Sequence, residues 1–112
     1  MARVIITKKL EEEINKIFKK QSTEILESFK ELEKTPHKGN IVGQVSGIVI
    51  KELKRENYRF YFITDGFKLK VLKQEELSDL LIKFVRMSNK KDQQKVIDNI
   101  KDILRNIGEE GF

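Results

Sequence analysis

Hydrophobic residues recur with helical spacing in two consecutive segments near the start of the chain. The first predicts a helix over residues 8–20, and the second predicts a helix that follows the capping hydroxyls of "QST" at 21–23 and stops at Pro36. Because the break between them is short, the two helices are predicted to form an antiparallel hairpin that packs on another element. The apolar residues of the two inner faces are Leu10, Ile14, Ile17 and Phe18 in the first helix and Ile25, Leu26, Phe29 and Leu32 in the second.

Strand-like segments stand before and after this helical pair. "ARVII" at 2–6 predicts a short strand, and "IVIKEL" at 48–53 and "NYRFYFIT" at 57–64 predict two more. "FKLKVL" at 67–72 alternates cleanly and follows the hairpin signal "DG", so it predicts a further strand. The stretch 37–47 holds three of the six glycines and is predicted to be a loop. Residues 48–72 therefore predict an antiparallel meander with one apolar and one basic side.

The last third of the chain gives one open and one clear prediction. Residues 73–88 keep helical spacing at five apolar positions, yet "LIKFVRM" also suits a strand by composition, so both interpretations stay open. Residues 91–106 predict a helix that Gly108 closes. The order of elements predicts one α+β domain over residues 1–112, in which an antiparallel β-sheet carries the N-terminal helical hairpin on one face and is followed by a C-terminal helix.

Composition excludes several kinds of site. The chain has no cysteine, which excludes disulfides and thiol catalysis and fits a reducing cytoplasm, where we expect the protein to act. The single histidine, His37, stands beside Pro36 in a turn-like stretch, so we expect neither a metal site nor a cofactor. No apolar run is long enough for a signal-peptide core or for a membrane span, so we expect no membrane partner.

The net charge of +5 is distributed unevenly along the chain. Residues 8–34 balance seven lysines against seven glutamates, as is typical of a solvated helical surface. Residues 51–70 carry six Lys and Arg against three acidic residues, and residues 83–95 carry five against one. We therefore expect an anionic partner to bind the second half of the chain.

A possible phosphate-binding surface lies in the stretch "KELKRENYRFYF". Strand alternation places Arg59 and Tyr61 on the polar side and leaves the other three aromatic residues for the core. Cross-strand pairing would bring Lys54 close to Arg59, with Lys68 or Lys70 on the next predicted strand. Arginine matches the oxygens of a phosphate, and Tyr61 would offer a ring on which a base stacks.

Such a cluster suits the cleavage of RNA by its own 2′-hydroxyl. That reaction needs a base, an acid and a group that stabilises the pentacoordinate phosphorane anion. A lysine crowded by other cations could act as the base because its neutral form is favoured, and Arg59 could hold the developing charge. From the residues alone the alternative stays open that this basic strand face is simply solvated, as most such faces are.

Several short stretches resemble, in the same order, the RelE/ParE toxin superfamily and especially its HigB-like branch. They are "VIITKKLEEEINKI", "ILESFKELEKTPHKGNIVGQVSG", "KELK" followed by "NYRFYFITDG", and "FVRMSNKKDQQKVIDNI". The resemblance implies a small α+β toxin domain whose basic sheet residues cut mRNA at the ribosome. It also implies a cognate antitoxin that wraps the domain and blocks it.

The resemblance implies roles for individual residues as well. Arg59 of the "YR" pair matches the arginine that stabilises the transition state, and Lys54 takes the place of the arginine in "ELR". Arg86 matches the basic end of the last strand, so these three are the predicted catalytic residues. The residues predicted to bind RNA are Lys51, Arg55, Tyr61, Lys68, Lys90 and Lys91.

One departure from the family pattern leaves the chemistry open. Glu52 lies where the RelE branch would offer a lysine, so the general base is not assigned. Lys51 could replace it only by facing the cluster, whereas strand alternation directs it to the other side.

The ParE branch shares the scaffold but acts on DNA gyrase. A gyrase inhibitor, or an inactive homologue that only binds RNA or an antitoxin, therefore remains an alternative.

Overall fold

The computed structural model describes the backbone of residues 1–112 and every side chain except that of Gln74. It is an α+β domain, as predicted, with one five-stranded sheet and helices on both faces. The strands are β1 (Arg3–Ile6), β2 (Asn40–Val45), β3 (Ile48–Arg55), β4 (Tyr58–Asp65) and β5 (Leu81–Asn89), and the helices are α1 (Lys8–Phe18), α2 (Ser22–Lys30), α3 (Gly66–Val71) and α4 (Gln93–Asn106). Within the described part of the chain, no helix combines the length and apolar character that a membrane crossing requires.

The strands are ordered β1-β5-β4-β3-β2 across the sheet. Strands β2 to β5 pair with their neighbours antiparallel, whereas β1 runs parallel to β5, with Arg3 opposite Leu81. The predicted antiparallel sheet is therefore confirmed for four strands. The first and last strands in sequence lie side by side, and β2 forms the opposite edge.

The N-terminal helix pair α1–α2 packs on one face of the sheet, as predicted. Thr7 caps α1 by accepting a hydrogen bond from the amide of Leu10 at 3.4 Å. Phe29 of α2 stacks on Phe84 of β5 with ring centroids 4.0 Å apart, and it meets Phe60 of β4 edge-on at 5.1 Å. These rings belong to the larger of the two hydrophobic cores, which lies between the helix pair and the sheet.

Helix α4 packs on the opposite face and buries a second core. A bulge in β5 contributes to it: the register passes from Tyr61–Arg86 to Phe62–Phe84 and skips Val85. Val85 consequently joins the apolar contacts under α4, and Arg86 reaches Asn99 of that helix. The buried apolar residues on this side are Val45, Ile50, Tyr61, Ile63, Val85, Ile97, Ile100 and Leu104.

The loop predicted for residues 37–47 is partly a strand. Residues 40–45 form β2, which pairs with β3 around a tight turn at Ser46 and Gly47. Both turn residues have a positive φ, +50° and +83°, as a type I′ hairpin turn requires. One of the glycines that suggested a loop, Gly47, therefore lies in the turn of the β2–β3 hairpin.

The strand predicted for residues 67–72 is wrong, because these residues form helix α3. Asp65 caps the helix: its Oδ1 accepts a hydrogen bond from the amide of Lys68 at 3.0 Å. The backbone of Gly66 donates to the carbonyl of Gly47 at 2.8 Å, and a Cβ at Gly66 would lie 2.9 Å from that same oxygen. The "DG" pair therefore starts a helix rather than a hairpin.

The open segment 73–88 resolves mainly into strand. Residues 81–89 form β5 between β1 and β4, which supports the strand interpretation near 82–87. A short 3₁₀ segment over 74–79 precedes it. Leu77 and Leu80, which suggested helical spacing, are buried in the core under the helix pair.

Candidate functional site

Four polar side chains are buried together on the sheet face that α4 covers. Glu52 of β3 pairs with Tyr61 of β4, and Arg59 of β4 pairs with Ser88 of β5. Residues opposite each other, or two apart on one strand, share a face, so these four form one group. We call them the polar cluster. All four are buried, which is unusual for a glutamate and an arginine that form no ion pair with a described residue.

Tyr61 and Ser88 hold each other within the cluster. The phenol oxygen of Tyr61 lies 2.9 Å from the hydroxyl oxygen of Ser88, and either group can donate. Burial raises the pKa of Tyr61 above its ordinary value of 10.0, and the negative charge of Glu52 adds to that rise. The hydrogen bond to Ser88 and the charge of Arg59 oppose it. The phenol is therefore neutral at physiological pH and available as a hydrogen-bond donor.

Arg59 is bound to the turn between β3 and β4. Its Nη1 donates to the carbonyl oxygens of Glu56 at 3.1 Å and Tyr58 at 3.0 Å. Glu56 has a φ of +54°, a left-handed conformation that tightens this turn. The Nε of Arg59 is buried and has no hydrogen-bond partner among the described residues, although the residue is only 8% exposed.

Glu52 also has a buried polar atom without a hydrogen-bond partner in the described part of the chain. Its Oε2 is buried and lacks a hydrogen-bond partner among the described residues, and the residue is 6% exposed. A buried carboxylate oxygen and a buried guanidinium N–H without partners each cost free energy, so such groups are rare in native proteins and call for an explanation. Here one acceptor and one donor occur on the same face of neighbouring strands. The pair is equipped to accept a proton and to donate to an anion.

Exposed cations surround the end of the sheet at which β3 turns into β4, beside the polar cluster. Lys54 is the register partner of Arg59, as expected from the sequence, and it is exposed. Lys90 and Lys91 are exposed in the turn between β5 and α4. That turn lies beside the β3–β4 hairpin, because Asn89 pairs with Tyr58. The backbone amides of Lys91 and Asp92 each donate a hydrogen bond of 2.9 Å to the side-chain oxygen of Asn89, which holds the turn in place. We call Lys54, Lys90 and Lys91 the basic rim.

Arg86, the third predicted catalytic residue, lies opposite Tyr61. Its Nε approaches the Asn99 amide oxygen at 3.4 Å, and its Nη1 donates to the carbonyl of Val85 at 2.8 Å. The guanidinium also lies 5.0 Å from the ring centroid of Phe112. Burial lowers the pKa of Arg86, and the charge of Glu13 opposes that shift. These contacts fix Arg86 against α4, at the side of the polar cluster.

Tyr61 was predicted to offer an exposed ring for base stacking, and the structure contradicts that expectation. Its side chain is 0% exposed and packs in the core under α4. Strand alternation assigned it correctly to the face opposite Phe60 and Phe62. That face is covered by a helix, however, so the ring could meet a base only if α4 moved away.

Three other residues predicted to bind RNA lie away from the polar cluster. Arg55 makes an ion pair with Glu24 of α2 at 3.6 Å, on the helix-pair side of the sheet. Lys68 belongs to α3, which begins after the far end of β4, about 20 Å along that strand from Arg59 at ~3.3 Å per residue. Lys51 faces the helix-pair side, as alternation predicted, and is 3% exposed. None of the three joins the basic rim.

Sequence reasoning did not select two members of the polar cluster as functional residues. In the sequence Glu52 is only a departure from a family pattern, and no sequence pattern predicts a role for Ser88. The usable signal for Glu52 is its place on a predicted strand two residues after the apolar run Ile48–Ile50, because a carboxylate buried on an internal strand is exceptional. Ser88 carried no comparable signal, because its role depends on the register between β4 and β5.

Neither the polar cluster nor its surroundings resembles a metal centre. Across the described side chains, no group of three or more His, Asp or Glu residues is arranged to hold a metal ion. The arrangement instead combines one carboxylate, one arginine and two hydroxyls with a cationic rim. Comparisons of the chain with known protein families, with characterised proteins and with solved structures found no match.

Proposed function

We propose that this protein is a toxin of the RelE/HigB kind: a ribosome-dependent mRNA endonuclease of the cytoplasm that a cognate antitoxin holds inactive. The observation that carries the proposal is the pairing of an unpartnered carboxylate oxygen on Glu52 with an unpartnered guanidinium N–H on Arg59. The two lie on one face of neighbouring strands, with the basic rim at the same end of the sheet. The resemblance in motif order, from the first strand to the C-terminal helix, supports the same proposal.

The reaction that fits this arrangement is attack of an RNA 2′-hydroxyl on its own 3′-phosphate. A bond forms between the 2′-oxygen and phosphorus, and the bond from phosphorus to the 5′-oxygen of the next nucleotide breaks. The 2′-hydroxyl gives its proton to a base, and the leaving 5′-oxygen takes a proton from an acid. The products are a 2′,3′-cyclic phosphate and a 5′-hydroxyl. Metal-independent acid–base chemistry of this kind commonly contributes about 10²–10⁴-fold for each positioned group.

Each residue then has a role that suits its chemistry. Glu52 supplies the free carboxylate oxygen that accepts the 2′-hydroxyl proton. Arg59 donates its unpartnered Nε–H to a phosphate oxygen and holds the charge that develops there. Lys54, beside Arg59 on the next strand, contacts the phosphate or protonates the leaving oxygen. Arg86 adds positive charge from the side of α4, and Tyr61 positions the cluster through Ser88 rather than by stacking.

The basic rim would hold the RNA backbone. Lysine side chains bind polyanions largely by releasing condensed counterions, so the affinity would fall steeply with salt concentration. Lys90 and Lys91 stand on the turn that leads into α4, and Lys54 stands on β3. A strand of RNA lying between these two elements would pass the end of the sheet at which Arg59 is held.

The burial of Arg59 favours a second candidate function. At 8% exposure, its guanidinium reaches solvent only marginally, so contact with a scissile phosphate requires movement of the turn or of α4. A protein that stays in this closed state would bind RNA or an antitoxin through the basic rim without cleaving. This second function predicts salt-sensitive binding to ribosomes and an intact message.

Primer extension on a reporter mRNA tests the proposal directly. The message is incubated with programmed ribosomes and the purified protein, beside the Arg59→Ala variant and a matched control, Arg105→Ala, which changes an exposed arginine on α4. We expect discrete cuts that require the ribosome, persist in the control and disappear in Arg59→Ala, while circular dichroism shows both variants folded. Full cleavage by a folded Arg59→Ala protein would remove Arg59 from the site, and an intact message at saturating wild-type protein would favour the non-cleaving function.

A further inference from the structure

A pocket of about 650 Å³ lies on the opposite face of the sheet from the polar cluster. The helix pair does not cover the β2–β3 end of that face, and four elements enclose the pocket instead. These are the two strands, the loop before β2 and helix α3. The residues that line it are His37, Gly39, Ile41, Gln44, Gly47, Val49, Lys51, Gly66, Phe67, Leu69 and Lys70. Its volume lies within the range of roughly 300–1,000 Å³ that is usual for small-molecule sites.

Lys51 is the most informative of these residues. It lines the pocket although it is only 3% exposed, so only a small part of its surface faces the pocket. One ammonium hydrogen is donated to the carbonyl of His37 at 2.9 Å, and the Nζ atom lies 5.9 Å from the ring centroid of Phe62. Among the described residues, no carboxylate lies within ion-pair distance of it.

A buried ammonium without a counter-ion is unfavourable, because desolvation is offset only by its carbonyl bond and by the aromatic ring. Burial accordingly lowers the pKa of Lys51 from its ordinary value of 10.5. The second cation of the pocket, Lys70, is exposed, and no lining residue is acidic. No carboxylate among the described lining residues compensates the positive charge of the pocket, so a ligand with a negative group would offset part of it.

Two large apolar side chains of the lining are open to solvent. Ile41 is the register partner of Lys51, and it is 64% exposed. Phe67, on the first turn of α3, is 70% exposed. Apolar side chains of this size are normally covered, and here two of them flank a pocket with a cation inside it. Their surface offers contact to the hydrocarbon part of a ligand.

We propose that this pocket binds a small carboxylic acid whose carboxylate accepts hydrogen bonds from Lys51 and whose apolar body packs between Ile41 and Phe67. A carboxylate matches the single interior ammonium of Lys51, since the other cation of the lining, Lys70, is exposed. The site lies on the opposite face of the sheet from Glu52 and Arg59. It therefore does not depend on the proposed endonuclease function.

The probes are 3-phenylpropionate and octanoate, each compared with its neutral amide. Binding is followed by two-dimensional ¹H–¹⁵N NMR of the full chain. The expected shifts are confined to amides around the pocket, with Gly39, Gly47 and Gly66 as reporters. We expect each acid to bind at least about tenfold more tightly than its amide, since a hydrogen bond to a charged group is stronger than one to a neutral group. Equal affinity of acid and amide, or shifts centred elsewhere, would overturn the proposal.

Variants separate the charge from the apolar contacts. Lys51→Met keeps the length of the side chain and should abolish the preference for the acid, whereas Lys16→Met, an exposed control on α1, should not change it. If Lys51→Met does not fold, Phe67→Ala serves, because that side chain is exposed; it should weaken both acid and amide. Unchanged binding in Phe67→Ala contradicts the proposed packing.

A peptide arm distinguishes a free acid from a protein partner. N-acetyl-Leu-Phe with a free C-terminal carboxylate is titrated beside its C-terminal amide under the same conditions. Binding of the two simple acids with no stronger binding of the peptide supports a small-molecule site. Binding of the peptide with none of the simple acids would overturn it and would identify the pocket as a docking site for a polypeptide terminus.

Discussion

Glu52 and Arg59 lie on one face of adjacent strands, and each holds a buried polar atom that has no hydrogen-bond partner among the described residues. Glu52 offers an acceptor, Oε2, and Arg59 offers a donor, Nε. They make no ion pair with each other, so the acceptor and the donor both remain without a partner among the described residues. The proposed endonuclease function uses this acceptor and this donor together.

Glu52→Gln should reduce mRNA cleavage by about 10²–10⁴-fold, the usual contribution of a positioned base. The amide keeps the shape of the carboxylate but cannot accept a proton. We expect unfolding in urea to show unchanged or slightly higher stability, because the variant no longer buries a carboxylate. The single-turnover cleavage rate on programmed ribosomes is the decisive measurement. A rate within twofold of the wild type would transfer the role of base to Lys54.

Tyr61→Phe should lower the free energy of unfolding by about 1–2 kcal/mol, because Ser88 loses its buried partner. The ring itself stays in the core under α4, so the fold should be preserved. Urea unfolding of Tyr61→Phe, Ser88→Ala and the double variant forms a thermodynamic cycle. The double variant should be less destabilised than the sum of the two single variants. Strict additivity would show that the 2.9 Å contact does not contribute to stability.

Tyr61 should also ionise at a higher pH than an ordinary tyrosine. Tyr58→Phe leaves Tyr61 as the only tyrosine, since the chain has two. Because burial raises the pKa of Tyr61 above 10.0, the unfolded chain loses its phenolic proton first as the pH increases. The stability contributed by the neutral phenol is complete below pH 10.0 and is lost as the pH rises toward the folded-state pKa. Ultraviolet absorbance of tyrosinate against pH measures this directly, and a midpoint at or below 10.0 contradicts it.

Lys51 should have the opposite pH dependence. Its pKa is lowered by burial, so the folded state releases the proton at a lower pH than the unfolded state does. The unfavourable contribution of the charge is complete below the folded-state pKa and disappears as the pH rises to 10.5. Relative to Lys51→Met, the wild type should therefore gain stability between neutral pH and pH 10.5.

Urea unfolding of wild type and Lys51→Met at several pH values isolates this effect, since Tyr61 contributes equally to both proteins. Lys16→Met, which removes an exposed lysine of α1, is measured at the same pH values as the control for the substitution itself. A constant difference between wild type and Lys51→Met would mean that the Lys51 ammonium is not desolvated.

Asp65→Ala should destabilise the protein by about 0.5–2 kcal/mol, the usual cost of removing an N-cap side chain. The carboxylate of Asp65 bonds the amide of Lys68 at 3.0 Å and starts α3, which forms one wall of the Lys51 pocket. Asp92→Ala is the matched control, because Asp92 precedes α4 without a side-chain capping bond. The midpoint temperature of thermal unfolding should be well below that of Asp92→Ala for the Asp65→Ala variant. The reverse order would contradict the capping role of Asp65.

The sequence predicts most of the elements because their patterns are local. The helix pair, β1, β3, β4 and α4 follow from hydrophobic periodicity, and the pairing of Lys54 with Arg59 follows from a two-strand hairpin. The two incorrect assignments concern β2 and α3. Gly43 and Gly47 made a strand resemble a loop, and Asp65 is equally suited to a hairpin turn and to a helix cap. The choice at Asp65 is decided by the close approach of Gly66 to Gly47, which local patterns do not contain.

The polar cluster was less predictable for the same reason. Alternation correctly placed Arg59 and Tyr61 on one face, but it does not reveal whether that face is open. Burial depends on α4, which begins beyond β5 and crosses back over the sheet to meet Ile50 and Ile63. Glu52 and Ser88 acquire their significance from neighbours on other strands, which only the assembled register supplies.

The parallel pairing of β1 with β5 has a consequence for the order in which the chain folds. Val4 and Ile82 are register partners, although the helix pair and three strands separate them in sequence. The first strand therefore stays unpaired while the ribosome synthesises nearly three quarters of the chain, and the helix pair has no complete sheet on which to pack until then. Closing so distant a contact is slow because of its loop entropy. We accordingly expect the insertion of β5 between β1 and β4 to be the rate-limiting step of folding.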